Sequence, residues 1–229
     1  MTADVGVIIV AGGAGSRVGG NELKQFRWVA GKPMLLHSVQ IFQQRADVGM
    51  VVVVLPYEHV GDPPPWLFQC DTDRLLLSVG GKERGDSVRN GLEDVPDDLT
   101  FVMIHDAARP LVTESMIERV MSEARKGHGA APGIPVVDAL KQADSERRIV
   151  ATIDRTNIFR IQTPQAFPRE MIERAHADAR SAGMRAADDA ALCERLGLAV
   201  VIVPGSERAL KITDESDFAR AEALSILSE

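Results

Sequence analysis

The chain has 229 residues, enough for one substantial core, and its 45% hydrophobic and 26% charged residues are ordinary for a globular protein. A net charge of −7 leaves no basic stripe to release counterions from a nucleic-acid backbone, although a nucleotide needs only a few placed cations. No apolar run approaches 18 residues and no basic-then-apolar leader opens the chain, so a soluble, cytoplasmic protein is expected.

Val5–Val10 holds five β-branched residues and reads as a strand buried on both faces. Met50–Leu55, Arg74–Val79 and Thr100–His105 read as further strands; Met34–Gln44, Gly85–Asp94 and Thr113–Lys126 read as helices. This alternation predicts βαβ units and a doubly wound, mostly parallel α/β sheet. Gly61–Trp66, with three consecutive prolines, reads as a surface loop. Beyond Gly127 the pattern changes. Ala130–Val137, Ala139–Lys141 and Arg148–Ile153 are short candidate strands, with Ser145–Arg148 as a polar hairpin tip. An extended hairpin standing off an α/β core is a pairing surface for a second copy. Helices resume at Arg169–Ala182, Ala187–Leu196 and Glu215–Leu227, with a strand at Ala199–Val203. Cys70 and Cys193 are isolated and read as buried thiols, and the five histidines lack zinc-ligand spacing.

The chemistry gathers where strands end. Val5–Ala11 runs into Gly12, Gly13 and Gly15, followed by Arg17 and Lys24. Glycines let backbone N–H groups approach an anion, which suits a polyphosphate at a strand's carboxyl end. Two commoner nucleotide loops fail: Val18 stands where the dinucleotide fingerprint continues, and Gly31-Lys32 lacks the P-loop spacing. The alternative is a glycine-rich turn that binds nothing. A second cluster, Gly80–Ser87, suits a nucleotide base or its phosphates, or else a solvated turn capped near Asp86 or Ser87. In His105–Pro110 a strand-end carboxylate, Asp106, is placed to hold Mg²⁺, and Arg109 to reach a phosphate. The alternative there is an Asp106–Arg109 pair that orders the loop. Asp154-Arg155, Gln162–Gln165 and Lys211 form a later, weaker set.

In order, AGGAGSR with Lys24-Gln25, GGKERGDSV, HDAARP, Asp154-Arg155, TPQAF and Lys211-Ile212-Thr213 resemble the 2-C-methyl-D-erythritol 4-phosphate cytidylyltransferase family over nearly the whole chain. The resemblance implies a single Rossmann-like domain over residues 1–229, with a β-arm at about 135–160 that crosses to the partner in a homodimer. It implies CTP against Ala11, Gly12, Gly13, Gly15, Gly81, Lys82, Ser87 and Ala107, and Mg²⁺ or another divalent cation near Asp106. Arg17, Lys24, Arg155 and Lys211 become catalytic cations; Asp106, Arg109, Arg155 and Lys211 become contacts of a sugar-alcohol phosphate. The chain departs from the family pattern at Leu23 (usually Pro), Lys82 (usually acidic) and Ala209 (usually Asn). Ala139 and Ala187 replace threonines expected at the acceptor, which keeps ribitol 5-phosphate as an alternative acceptor and a non-catalytic nucleotide-binding module as a third reading.

Overall fold

The protein is described by a computed structural model that covers residues 3–13 and 23–227. The opening apolar run is β1 (Val5–Val10); a small ribbon of β2 (Trp28–Val29) and β3 (Lys32–Pro33) precedes α1 (Met34–Gln43). Then come β4 (Val48–Leu55), the short α2 (Tyr57–Val60), β5 (Leu75–Val79), α3 (Arg84–Asp94), β6 (Phe101–Asp106) and α4 (Glu114–Ala124). The second half contains β7 (Gly129–Pro135), β8 (Leu140–Ala143), β9 (Ile149–Ile153), β10 (Phe159–Ile161) and β11 (Gln165–Pro168). It closes with α5 (Arg169–Ser181), α6 (Asp189–Arg195), β12 (Val200–Pro204) and α7 (Glu215–Ser225).

The main sheet runs β10-β7-β11-β6-β1-β4-β5, with β12 also paired to β7. β1 is parallel to both β4 and β6, and β4 is parallel to β5, so the expected parallel sheet is present. Side-chain alternation along β1 explains why its run is apolar throughout. Val5, Val7 and Ile9 join the cluster under α1 and α4, whereas Ile8 packs on the other face with residues of α3, α5 and α6. From β1 the chain steps outward to β4 and β5, then returns to place β6 on β1's opposite side. The carboxyl ends of β1 and β6 therefore flank a topological switch point, where open α/β sheets bind ligands.

Several predicted boundaries need correction. β4 starts two residues early, because Val48 pairs with Val5 and is fully buried. Arg74 ends a turn rather than starting β5, since its side chain bonds Asp71 and the Gln43 carbonyl. β6 extends through Asp106, which pairs with Val10. α3 begins at Arg84 with Glu83 as its cap, and Asp86 accepts the Glu83 N–H at 3.1 Å, so neither Asp86 nor Ser87 is the cap itself. α6 begins at Asp189, because Asp188 caps it by accepting the Ala191 N–H at 3.0 Å. β10 and β11 were not expected; they form antiparallel pairs with β7 and β6. Pro65–Gln69 is a 3₁₀ turn that buries Leu67, so the proline loop docks at its far end. Cys193 is buried as expected, and burial with nearby Asp189 pushes its thiol up to about 12; Cys70 is only half-buried.

β8 and β9 form a separate antiparallel hairpin with Leu140 opposite Ile153. Its polar end is ordered by Asp144, whose Oδ1 accepts the N–H groups of Glu146 and Arg148 at 2.9 Å. β8 begins one residue later and ends two later than the pattern suggested. β9 is exposed along its length, and Val137, Ile149, Val150 and Ile153 are all open to solvent. Among the described residues, no helix is long and apolar enough to cross a membrane.

Candidate active site

Three loops meet at the carboxyl ends of β1, β5 and β6. The glycine turn after β1 is held by Gln25, whose amide donates to the Ala11 carbonyl at 2.6 Å and the Gly13 carbonyl at 3.2 Å. Gly12 lies against Gly80 of the second cluster. A Cβ on Gly12 would sit 3.2 Å from the Gly80 Cα and 3.3 Å from Ser87 Oγ. The glycines thus serve loop-to-loop packing as well as backbone exposure. Ser87 Oγ accepts the Gly81 N–H at 3.1 Å and donates to the Glu83 carbonyl at 3.2 Å, so it shapes the Gly80-Gly81 turn from behind. Lys82 projects to solvent. Ala11 and Ala107 are both buried, and the Ala107 N–H donates to the Val10 carbonyl at 3.1 Å, joining the first and third loops. Gly15 and Arg17 lie outside the described residues.

Asp106 sits at the centre of the charges on this rim. It is 8% exposed; Arg84 Nε reaches its Oδ1 at 3.0 Å and Lys211 Nζ its Oδ2 at 2.7 Å. Burial works against its charge, but Arg84 and then Lys211 outweigh burial and hold the carboxyl well below the usual range. Arg84 in turn donates from Nη1 to Asp189 Oδ2 at 2.8 Å. Burial opposes the Arg84 charge too, yet Asp189 and Asp106 raise its pKa above the ordinary arginine value. The sequence alone does not bring Arg84 and Asp189 to this corner. Arg84 lies in GGKERGDSV and Asp189 in the helix expected over Ala187–Leu196, but a pairing across 105 positions leaves no periodic signal.

Arg109 is not the partner of Asp106 that the loop-ordering alternative required. Its Nη1 donates to the Ala209 carbonyl at 2.7 Å, while its buried Nε lacks a partner among the described residues. Burial lowers its pKa, and Asp106 opposes that shift. The Ala209–Thr213 segment binds the whole rim together. The Ile212 N–H donates to the Ala108 carbonyl at 2.8 Å, and Lys24 Nζ donates to the Ile212 carbonyl at 2.7 Å. Lys24, Asp106, Arg109 and Lys211 are therefore brought into one corner.

Behind Asp106 lies His105, fully buried, its pKa lowered to about 3 by burial. Its Nε2 contacts the Arg109 carbonyl at 3.2 Å, which can only accept, so Nε2 carries the proton. Nδ1 then accepts from Thr163 Oγ1 at 3.2 Å, and that oxygen accepts the Asp106 N–H at 3.0 Å. The TPQAF motif thereby acquires a role as a brace for Asp106. Arg155 stands apart: its guanidinium donates to the Val137 carbonyl within the arm and shares no ion pair with Asp106. Ala139 and Ala187 are both exposed.

Among the described residues, no three His, Cys, Asp or Glu side chains gather as a metal cluster. One ionised carboxylate on the rim still fits Mg²⁺, which usually takes one or two carboxylates and completes its shell with water and substrate phosphates. Each Asp106 oxygen keeps a lone pair beyond its present bond.

The chain resembles known proteins over nearly its whole length. A family model described as IspD, 2-C-methyl-D-erythritol 4-phosphate cytidylyltransferase, matches residues 5–227. A protein of that name from Syntrophus aciditrophicus is 38% identical over 226 residues, 97% of this chain and 96% of its own. One from Cereibacter sphaeroides is 42% identical over 224 residues, 96% of each chain. The crystal structure of 2-C-methyl-D-erythritol 4-phosphate cytidylyltransferase from Thermus thermophilus superposes with a TM-score of 0.80 at 32% identity, covering 96% of this chain and 98% of that one. The Francisella tularensis structure, at 24% identity, shares the fold with a TM-score of 0.83. A match that spans β1, the rim loops, the arm and α7 leaves no element outside the likeness: this chain belongs to the 2-C-methyl-D-erythritol 4-phosphate cytidylyltransferase family.

Proposed function

We propose that the protein transfers the cytidylyl group of CTP to 2-C-methyl-D-erythritol 4-phosphate, releasing pyrophosphate and forming 4-diphosphocytidyl-2-C-methyl-D-erythritol for non-mevalonate isoprenoid synthesis. The observation that carries this is Asp106 held between Arg84 and Lys211 at the β1/β6 switch point, beside the glycine turn, in a chain of this family. The acceptor's phosphate oxygen attacks the α-phosphorus in line, and the bond to the β-phosphate bridging oxygen breaks. A phosphate monoester has a second pKa of about 6, so the nucleophile is mostly dianionic at neutral pH and needs no general base. His105 agrees with that: neutral and bonded at both ring nitrogens, it braces the rim and does not relay a proton.

Catalysis then consists of orienting two anions that repel each other and stabilising charge on the pentacoordinate phosphorus. Lys24 and Lys211, with Arg17 in the glycine loop, supply positive charge for this. Lys82 and the Gly80-Gly81 turn, shaped by Ser87, face the nucleotide. Asp106 would hold Mg²⁺, which would supply charge neutralisation on the phosphates when bound.

The same reading makes the protein a cytoplasmic homodimer whose arm, residues 135–160, carries Arg155 into the other copy's site. Two observations support this. The hairpin exposes Val137, Ile149, Val150 and Ile153, and Arg155 lies with it, away from Asp106. Arg155→Ala is expected to raise the acceptor KM by about tenfold, the size of one lost hydrogen bond to a charged group, while sparing CTP affinity. Mixed dimers of Arg155→Ala and Lys24→Ala subunits should regain activity. Mixtures as inactive as either parent would remove the shared site.

Exposed Ala139 and Ala187 favour one second reading, ribitol 5-phosphate as acceptor, because hydroxyls expected there are missing. Pyrophosphate release with each nucleotide against each alcohol phosphate separates the two. Turnover is expected with CTP and methylerythritol phosphate. Turnover with ribitol 5-phosphate alone would transfer the assignment to that acceptor, and CTP binding without any turnover would favour a non-catalytic module.

A further inference from the structure

Four side chains far apart in sequence form one continuous polar line. On α5, His176 Nε2 meets Asp189 Oδ1 at 3.0 Å; Asp189 Oδ2 accepts Arg84 Nη1 at 2.8 Å; Arg84 Nε donates to Asp106 Oδ1 at 3.0 Å. His176 is 2% exposed and Asp189 1%. Burial opposes the charge of Asp189, but Arg84 and His176 outweigh burial and hold the carboxyl below its ordinary range. An ionised carboxylate only accepts, so Nε2 of His176 carries the proton and donates. The imidazole and the guanidinium therefore divide Asp189 between them, one oxygen each.

That division decides where Arg84 lies. A guanidinium that meets a carboxylate with both oxygens open tends to take it bidentate, with two parallel bonds. Here Oδ1 is occupied, and Arg84 Nη2, the nitrogen that would complete such a fork, is buried without a partner among the described residues. The free edge of Arg84, its Nε, turns to Asp106 instead. We propose that His176 is a positioning residue for cytidylyl transfer: by occupying one oxygen of Asp189 it keeps Arg84 shared with Asp106, and so keeps Asp106 set against Lys211. The inference rests on the proposed activity only for its kinetic readout.

A histidine that merely satisfies a buried aspartate would affect stability alone, so the test needs a matched packing loss. Ile172, fully buried one turn earlier on α5, provides it, because Ile172→Ala removes volume without touching the polar line. His176→Ala is expected to raise the acceptor KM about tenfold, as for a lost hydrogen bond to a charged group. His176→Gln, which keeps a donor at the same reach, should restore the acceptor KM; Ile172→Ala should lower thermal stability and leave both KM values in place. Independently of turnover, the Nε–H NMR resonance of Arg84 should move in His176→Ala and stay in Ile172→Ala. Identical kinetic patterns in the two alanine variants, no rescue by glutamine, or an unmoved Arg84 resonance would overturn the proposal. A wild-type protein inactive on methylerythritol phosphate, in which the resonance still moves, would refute the acceptor and leave the positioning role standing.

Discussion

Lys24→Ala should cut turnover by about 10²–10³ while weakening CTP binding by much less, the range expected for removing one preorganised stabiliser of transition-state charge. Lys24 reaches the rim from the segment that follows the glycine loop, with Nζ 2.7 Å from the Ile212 carbonyl. That carbonyl fixes the ammonium in place. The adjacent Gln25 ties the same segment to Ala11 and Gly13, so the ammonium is anchored to the loop expected to carry the triphosphate. CTP brings its own negative charge into the ground state, and that charge is shared among several donors. In the transition state, additional charge builds at one phosphorus, and a cation already held in place needs no reorganisation to meet it. Only the second interaction is differential, so the loss should appear in kcat and only weakly in the CTP dissociation constant measured by calorimetry. Equal losses in the two would make Lys24 a ground-state contact. Lys24→Arg is not expected to restore full activity, since a planar fork does not reproduce a compact ammonium on the same carbonyl.

The parts of this site that were legible in the sequence are the parts governed by local physics. An unbroken apolar run reads as a central strand because both of its faces are buried, and β1 is such a strand. Glycine clusters at strand ends read as loops, and Asp106 reads as a strand-end carboxylate, since each depends only on near neighbours. Where partners come from elsewhere in the chain, the sequence carries no trace. Arg84 belonged to a quoted motif, but its two carboxylates lie 22 and 105 positions away. His176, one of the five histidines without zinc-ligand spacing, sits on α5, where a lone buried histidine carries no periodic signature. β10 and β11 escaped because strands of three and four residues, with a proline in one, are specified by β7 and β6 beside them rather than by their own pattern. Arg109 shows the converse: the residue was correctly placed on the rim, but its adjacency to Asp106 suggested a pairing that the Ala209 carbonyl takes instead.

Asp106→Asn is the second large effect expected, and it should be felt in stability as well as turnover. The substitution keeps the volume and removes the charge that two cations face. Breaking a buried ion pair by removing one partner typically costs about 3–5 kcal/mol, because the remaining charge is left uncompensated. Two features put this case near the low end: Arg84 retains Asp189, and Lys211, with a side chain 42% exposed, is partly solvated. A loss of about 3 kcal/mol by urea denaturation at pH 7 is therefore expected. The two bonds should not share it equally. The Arg84 side chain is 26% exposed against 42% for Lys211, and an exposed pair contributes only about 0–1 kcal/mol. Double-mutant cycles of Asp106→Asn with Arg84→Met and with Lys211→Met should give the larger coupling to Arg84. Kinetically the order should reverse. Arg84 is needed to set the carboxylate, but Lys211 is the more open cation, so its release from Asp106 should raise the acceptor KM. A coupling to Lys211 equal to or greater than that to Arg84 would mean that Asp106 is held chiefly from the solvent side, and would detach the Arg84–Asp189 corner from the geometry of the site.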